Sequence, residues 1–416
     1  MADSFSLTLE QLRALRDQIG NAIREGLEQP DRQIKALPAY LRKPDAGVCG
    51  EAVVLDVGGT NMRSACVALD GAAKLLPGRD GALQHQSDIM QRATQPGAVS
   101  AQEFFDTQAD LIAAASTRDE IALGYCFSYP ASIAPDGRAT LLRWTKGIEI
   151  GDVKDVSEPL IAALKMRGRR VRAMSTLNDT VASLLAGAYL AQQFTHHIGL
   201  IVGTGTNMAG FFRVKDIPKL ASDARWPGDV EMAVNLESGN FDPGALLTGW
   251  DDAVDAVSPP EQRGRQRFEK AVSGAYLPWL LWFAAGEDAC RAAHFDPRDP
   301  QTNAGAVADA RGDPRIGAAA TAIIDRSADF TAAALAALIG LYARGKTDVR
   351  AGVLAEGTLF WKTPGYAARV MQTLGPLLPG TAKAELIDKP ASGTGTQAID
   401  PNLIGAAAAA LSGAFR

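Results

Sequence analysis

The chain is poor in the residues that usually announce a metalloprotein or a disulfide-stapled scaffold. Among 416 residues, only four are cysteine and four histidine. Cys49, Cys66, Cys126 and Cys290 lie too far apart for a CxxC pair. A chain of this length buries enough surface to fold without a disulfide framework, so all four are expected to be reduced thiols, mostly buried. HExxH and EF-hand spacings are both missing, which argues against a dedicated protein cage for a metal. An excess of one charge is missing too: 42 Lys and Arg stand against 47 Asp and Glu, a formal net charge of −5, so no polybasic surface is offered to nucleic acid. No run of eighteen apolar residues occurs, and the opening MADSFSLTLEQLR lacks the basic-then-apolar order of a secretory signal. These absences lead to the expectation of a soluble cytoplasmic protein, monomer or homodimer, with neither nucleic acid nor a membrane as partner.

What is present is ordinary globular sequence: 47% hydrophobic and 21% charged residues, over a length that suggests two or three domains. Leu9, Leu12, Leu15, Ile19, Ile23 and Leu27 recur at helical spacing behind a Thr8/Gln11 capping box, which predicts an amphipathic helix packed on the protein's own body. Past Pro38 and Pro44, an apolar run over 52–57 stops at Gly58-Gly59 and a second run over 63–69 returns, the signature of a hairpin. Strand-like runs follow at 121–127, 171–177, 198–202 and 349–354. Helical spacing covers 180–194, 267–285 and the Ala-rich 317–344, with a short helical tail at 406–411. Residues 286–315 read as a surface excursion. Strands interleaved with helices predict an α/β class.

Two phosphate-loop patterns fail their context. Gly340 to Thr347 fits GxxxxGK[ST], but a P-loop needs a strand before it and a helix after it, and here a long helix precedes and a strand follows. Gly393-Thr-Gly395-Thr-Gln-Ala398 approaches GxGxxA without a preceding strand. More telling are two Gly-Thr turns, Asp56-Val-Gly58-Gly59-Thr60-Asn61 and Gly203-Thr204-Gly205-Thr206-Asn207. Glycines let a backbone approach an anion, and amides and threonine hydroxyls donate to phosphate oxygens. Each turn taken alone is equally an ordinary hairpin.

Read together, the segments LDVGGTNMR (55–63), GYCFSYPAS (124–132), LLRWTKGIEI (141–150), LNDTVASLLAG (177–187), IVGTGTNMA (201–209), VNLESGNF (234–241), RFEKAVSGAYL (267–277) and AEGTLFWKTPGY (355–366) resemble the eukaryotic-type hexokinase family, of the wider sugar kinase, Hsp70 and actin superfamily. The resemblance implies a two-lobed, actin-like (ribonuclease H-like) α/β fold with a cleft between a small and a large domain. The small domain would be 46–176 plus 403–416 and the large one 177–402, with 1–45 as a helix and connector on the large domain. It implies transfer of the γ-phosphoryl of ATP to the 6-hydroxyl of a hexose, glucose foremost, with Mg²⁺ required.

Asp179 is then the general base for the 6-hydroxyl, although by position alone Asn178 or Asp179 could equally be the N-cap of the helix that follows. A sugar is a ring of hydroxyls and needs many fixed polar groups. The family pattern supplies Ser128, Thr145, Lys146, Asn178, Asn207, Glu237, Gln266 and Glu269. Taken singly, Ser128 reads as a turn residue, and Glu237, Glu269 and Lys146 as solvated charges. Phosphate contacts fall to Gly58, Gly59, Thr60, Asn61 and Arg63 in the first turn and Gly203 and Thr204 in the second, with Gly357 and Thr358 on the adenosine side. Asp56 would hold Mg²⁺ through water, and Lys146 would also help the charge developing on the transferred group. The chain departs from the family pattern at Glu356-Gly357-Thr358, usually Asp-Gly-Ser, at Ser238 and at Arg265. Two other readings are a sugar sensor or scaffold of the same fold without turnover, and an actin-like or chaperone-like ATPase.

Overall fold

A computed structural model describes all residues except 1, 81, 130, 145–146, 222–225, 347, 389–398 and 413–416. The apolar runs between glycine and proline punctuation become strands. In chain order they are β1 (Leu37–Arg42), β2 (Cys49–Val57), β3 (Met62–Asp70), β4 (Ala73–Leu76), β5 (Leu83–Gln86), β6 (Glu120–Phe127), β7 (Ala131–Ile133), β8 (Ala139–Leu141), β9 (Arg170–Leu177), β10 (His196–Val202), β11 (Thr206–Arg213), β12 (Glu231–Asn235), β13 (Arg350–Glu356) and β14 (Lys383–Leu386). One sheet has the order β4-β3-β2-β6-β9, with β5 also on β3, and the other the order β1-β12-β11-β10-β13-β14. In the first, β2, β6 and β9 are parallel. In the second, β10 and β13 are parallel while β10, β11 and β12 alternate in direction.

Parallel strands are apolar on both faces and need helices on both. Helices α2 (Ala101–Ala115) and α3 (Glu158–Met166) close the outer face of the first sheet, with Phe104 and Leu160 in one core with Leu55 and Leu123. Helices α1 (Leu9–Glu28) and α7 (Gly317–Tyr342) do so for the second sheet, with Leu15, Ile19 and Leu338 in one core with Ile198 and Val234. The predicted capping box of α1 is present: the Gln11 amide donates to Thr8 Oγ1 at 3.2 Å and the Thr8 amide to Gln11 Oε1 at 2.8 Å.

Two helices fill the space between the sheets, α4 (Asp179–Leu190) against the second and α8 (Pro401–Ser412) against the first, and the result is a two-lobed actin-like fold. Backbones come very close here. A Cβ on Gly124 of β6 would lie 2.2 Å from the Ala406 carbonyl oxygen, and one on Gly405 would lie 1.8 Å from that of Ala182 in α4. The Ala-rich end of the chain is therefore required by packing as well as favoured by helix propensity.

Several sequence expectations are corrected. The 406–411 tail is a twelve-residue helix buried at the centre of the molecule. The single helix expected over 267–285 is two, α5 (Arg267–Val272) and α6 (Leu277–Ala285). It breaks because the Gly274 and Ala275 amides leave the helical pattern to bond the carbonyls of Gly203 and Thr204. The 286–315 excursion carries short helices at Glu287–Ala292 and Ala304–Asp309, anchored by buried Cys290 and Val307. Strand β1 was hidden by Pro38, which an edge strand tolerates. Of the cysteines, Cys49 is exposed and the other three are buried. The 340–347 pattern follows the expected order of helix, then strand, and the 393–398 pattern lies outside the described residues. No described helix is long and apolar enough to cross a membrane.

Candidate functional site

Open α/β sheets bind ligands beyond the carboxyl ends of their strands. In this chain β2, β6 and β9 end side by side in the first sheet, and β10, β12 and β13 run in a common direction in the second. Asp56 stands one residue before the end of β2, and past the ends lie the 58–61 turn, Ser128, Asn178-Asp179, the 203–205 turn, Glu237 and Gly357.

The first turn is a hairpin bend closed by the Gly58 amide on the Asn61 carbonyl at 3.0 Å. The Tyr129 hydroxyl donates to the Gly58 carbonyl at 2.9 Å and the Ser128 amide to that of Val57 at 3.1 Å. Gly58, Gly59 and Asn61 are half-buried and Thr60 is exposed. Asp56 pairs with Arg63 across the ladder, so the guanidinium reaches Asp56 Oδ2 through Nε at 3.1 Å and through Nη2. Its Nη1 donates to Asp400 Oδ2 at 2.8 Å. Burial pushes the Asp56 carboxyl above its ordinary pKa against the pull of Arg63, and the charges of Asp400 and Asp179 add to the rise. Burial alone would lower Arg63, but Asp56 and Asp400 outweigh it and hold the guanidinium above its usual value.

The second turn is wedged into its surroundings. The Gly203 amide donates to the Gly205 carbonyl at 2.9 Å, while the Gly203 and Thr204 carbonyls accept from Gly274 at 2.7 Å and Ala275 at 3.2 Å. Gly357 has φ +110°, and a Cβ there would stand 2.2 Å from the Val202 carbonyl oxygen. A Cβ on Gly205 would meet Glu269 Oε2 at 2.8 Å. Thr204 and Thr358 are exposed.

Beside the turns opens a cleft of about 990 Å³, lined among others by Thr176, Asn178, Asn235, Glu237 and Gln266. That volume lies at the upper end of the usual range for small-molecule sites. Glu269 is clamped: its Oε2 accepts from the Thr206 amide at 2.9 Å and its Oε1 from Gln266 Nε2 at 3.0 Å. Asn207 accepts from the Met208 and Ser238 amides and donates to Asn235 Oδ1 at 2.7 Å, and Asn235 donates in turn to Glu237 Oε1 at 2.8 Å. Asn207 thus reaches the cleft chiefly by orienting Asn235. Glu237 and Gln266 both sit in the left-handed region, at φ +55° and +53°. With Asp31 and Tyr40, at φ +60° and +54°, four lining residues of this cleft share that strained conformation, which functional sites often carry. Burial raises the Glu237 carboxyl against the hydrogen bond from Asn235, the charge of Asp179 raises it further, and Arg143 and Lys35 add to the opposition.

Asn178 is the N-cap of α4, its Oδ1 accepting from the Thr180 amide at 2.9 Å. Asp179 therefore stands in the first turn rather than at the cap. Its Oδ1 accepts from the Thr180 amide at 2.7 Å and the Thr180 hydroxyl at 3.2 Å, while Oδ2 carries no hydrogen bond among the described residues. The Asp179 charge bears on Asp56 on one side and on Glu237 on the other. Its charge thus acts on both halves of the site.

Two family models, both described as hexokinase, match residues 1–189 and residues 197–289 with 315–412. Hexokinase-2 of Candida albicans is 31% identical over 95% of this chain and 90% of its own length. The chain belongs to the hexokinase family. Hexokinase-1 of Saccharomyces cerevisiae is 33% identical over 68% of this chain, a match that spans 59% of the yeast protein. A solved hexokinase from Schistosoma mansoni, complexed with glucose, superposes with a TM-score of 0.75 at 25% identity, covering 99% of this chain and 97% of that one.

In this hexokinase-family chain the candidates Asp56, Arg63 and Asn207 lie in strands beside the two turns, while Gly58–Asn61, Ser128, Asn178, Asp179, Gly203, Thr204, Glu237, Gln266, Glu269, Gly357 and Thr358 follow strand ends or lie in the segments packed there. Thr145 and Lys146 lie outside the described residues. Sequence reasoning missed Asp400, Asn235 and Arg143. For Asp400 a signal existed, since Asp-Pro before an Ala-rich run marks a helix start, and the Asp400 Oδ1 does accept from the Asn402 amide at 2.9 Å. Among the described residues no group of three or more His, Cys, Asp or Glu could cage a metal. One buried carboxylate beside an open glycine turn does suit Mg²⁺, which takes one or two carboxylates, keeps much of its water and relies on substrate phosphates.

Proposed function

We propose that the chain is a hexose kinase that transfers the γ-phosphoryl group of ATP to the 6-hydroxyl of a hexose, glucose foremost. The products are hexose 6-phosphate and ADP, the first step of glycolysis. The observation that carries this reading is the position of Asp179, whose charge is felt both at the phosphate-side Asp56 and at the sugar-side Glu237. A carboxylate there orients the attacking hydroxyl and accepts its proton on Oδ2.

Ser128, Asn178, Glu237, Gln266 and Glu269 hold sugar hydroxyls, with Asn207 setting Asn235 and with Thr145 and Lys146 assigned by family resemblance. Amides of Gly58 to Asn61, Arg63 and the Thr204 hydroxyl hold phosphates, and Gly357-Thr358 faces the adenosine. Asp56 holds Mg²⁺ through water, and the cation, when bound, neutralises phosphate charge. Because Asp56 and Asp400 fix the Arg63 guanidinium, its direction is set before the nucleotide arrives.

Lobes limited to 46–176 plus 403–416 and 177–402 close on the sugar and exclude water, the rival nucleophile. The same reading takes the enzyme to be cytoplasmic, a monomer or homodimer. The test is a matrix of hexoses against nucleotide donors, with and without Mg²⁺, read as ADP and hexose 6-phosphate formed. Turnover should require hexose, ATP and Mg²⁺ together. ATP hydrolysis at the same rate without sugar would end the reading in favour of a plain ATPase, and sugar binding without turnover would favour the sensor.

A further inference from the structure

A second cavity, of about 430 Å³, lies at the far end of β10 and β11 from the 203–205 turn. Its walls are the end of α1 with Arg24 and Glu28, the end of β11 and the segment after it with Phe212, Arg213 and Lys215, and the end of α7 with Tyr342, Arg344 and Lys346. At about 3.3 Å per residue, the seven-residue β10 separates this cavity from the turn by roughly 20 Å. Nothing in the proposed kinase chemistry uses it.

Its charge is unbalanced once ion pairs are counted. Asp216 accepts from Arg213 at 2.8 Å, Glu231 faces Lys43 at 3.7 Å, and Lys215 is taken by Asp229 at 2.5 Å. That leaves Arg24, Arg344 and Lys346 against Glu28 alone among the charged lining residues. Arg24 Nε is buried and has no partner among the described residues.

Lys346 is held in an unusual way. Its Nζ lies 2.9 Å from His196 Nε2. An ammonium can only donate, so Nε2 is the acceptor and Nδ1 carries the hydrogen. Nδ1 points to the Thr195 hydroxyl at 2.9 Å, which passes its own hydrogen to the Arg350 carbonyl at 3.0 Å. The imidazole stacks on Tyr342 with ring centres 4.7 Å apart. Burial, reinforced by Lys346 and Lys43, holds its pKa down to about 4, so it is neutral at pH 7. The neutral ring fixes the ammonium without cancelling its charge, and two N–H donors remain for a ligand.

We propose that this cavity is a second anion site, separate from the kinase cleft, which takes a phosphate monoester with its dianion on Lys346, Arg344 and Arg24 and its organic body against Tyr342 and Phe212. Cations from two separate helix ends, beside an aromatic wall, make a receptor for one compact dianion rather than a diffuse basic surface.

The test uses the full chain, titrated calorimetrically with inorganic phosphate and with glycerol 2-phosphate at low ionic strength. One site per chain is expected for both probes. Lys346→Met and, separately, Arg344→Gln should each weaken binding about tenfold or more. Arg344 does not touch His196, so the second variant guards against a folding defect in the first, and phosphate-free melting of both should match the parent. Arg63→Gln, in the cleft, should leave this binding unchanged. Binding lost in Arg63→Gln but kept in Lys346→Met would place the anion in the cleft and overturn the proposal. Absence of binding, or binding of phosphate but not of the monoester, would overturn it as well.

Discussion

The two Gly-Thr turns look alike in sequence and differ in what surrounds them. The 58–61 turn is a bend between β2 and β3 whose neighbours touch it by single hydrogen bonds, and a Cβ on Gly58 would meet only the Asn61 carbonyl oxygen, at 3.5 Å. The 203–205 turn is hemmed in by Gly357, Glu269 and the broken helix at 274–275, with backbone against backbone. The first turn keeps its glycines for access. The second keeps them because room is short: a Cβ on Gly203 would stand 3.2 Å from Gly357 Cα and one on Gly205 2.8 Å from Glu269 Oε2.

The contrast can be broken or sharpened by experiment. Asp179 acts on both the phosphate-side Asp56 and the sugar-side Glu237, so its loss should have the largest effect: Asp179→Ala is expected to lower kcat by about 10²–10⁴. Because the Asn178 cap survives, the melting temperature should hold. Undiminished turnover would remove Asp179 from the chemistry.

Next comes Gly357→Ala, which forces a side chain into a positive φ and against the Val202 carbonyl. A loss of about 2–4 kcal/mol in denaturant unfolding is expected, the sum of backbone strain and overpacking. A variant as stable as the parent would mean that the second turn is as loosely set as the first.

The sugar side gives a smaller, pH-dependent effect. Glu237→Gln should raise the hexose KM by about 10–150-fold, the range for one lost charge-assisted partner in a buried site. Burial lifts the Glu237 carboxyl above the ordinary 4.5, so the parent should lose sugar affinity on acidification sooner than an ordinary carboxylate would, and the variant should not. The stability effect runs the opposite way. A folded-state pKa above the unfolded one means that the native state binds the proton more tightly, so this group's contribution to stability falls as pH rises through the window above 4.5. At neutral pH Glu237→Gln should therefore melt no lower than the parent, and a lower melting point would show the carboxylate to be structural.

The smallest change is expected for Gly58→Ala. Its Cβ finds only ordinary contact, so unfolding should shift by no more than about 0.5 kcal/mol, and any effect should fall on the ATP KM. A loss as large as that of Gly357→Ala would erase the distinction between the turns.

The strands at 52–57, 121–127 and 198–202 and the long helix starting at 317 were readable because their apolar periods are regular and their ends carry glycine or caps. The break at 273–276 was not readable, because it depends on carbonyls some seventy positions earlier in the chain. Asn235 and Arg143 escaped for a related reason: neither carries a local signal, and each matters only through the Glu237 carboxylate beside it.

Sequence by itself determined the alternation of strand and helix, the two glycine bends and the Asn-Asp pair at a helix start, because each is written in consecutive residues through sterics and local hydrogen bonding. Tertiary structure alone decided that Arg63, paired with Asp56, reaches Asp400 across 337 positions, that Asn178 rather than Asp179 caps the helix, and that the alanines near the chain's end lie between two sheets. Those outcomes depend on distances between segments far apart in the chain, and only the packed fold sets such distances.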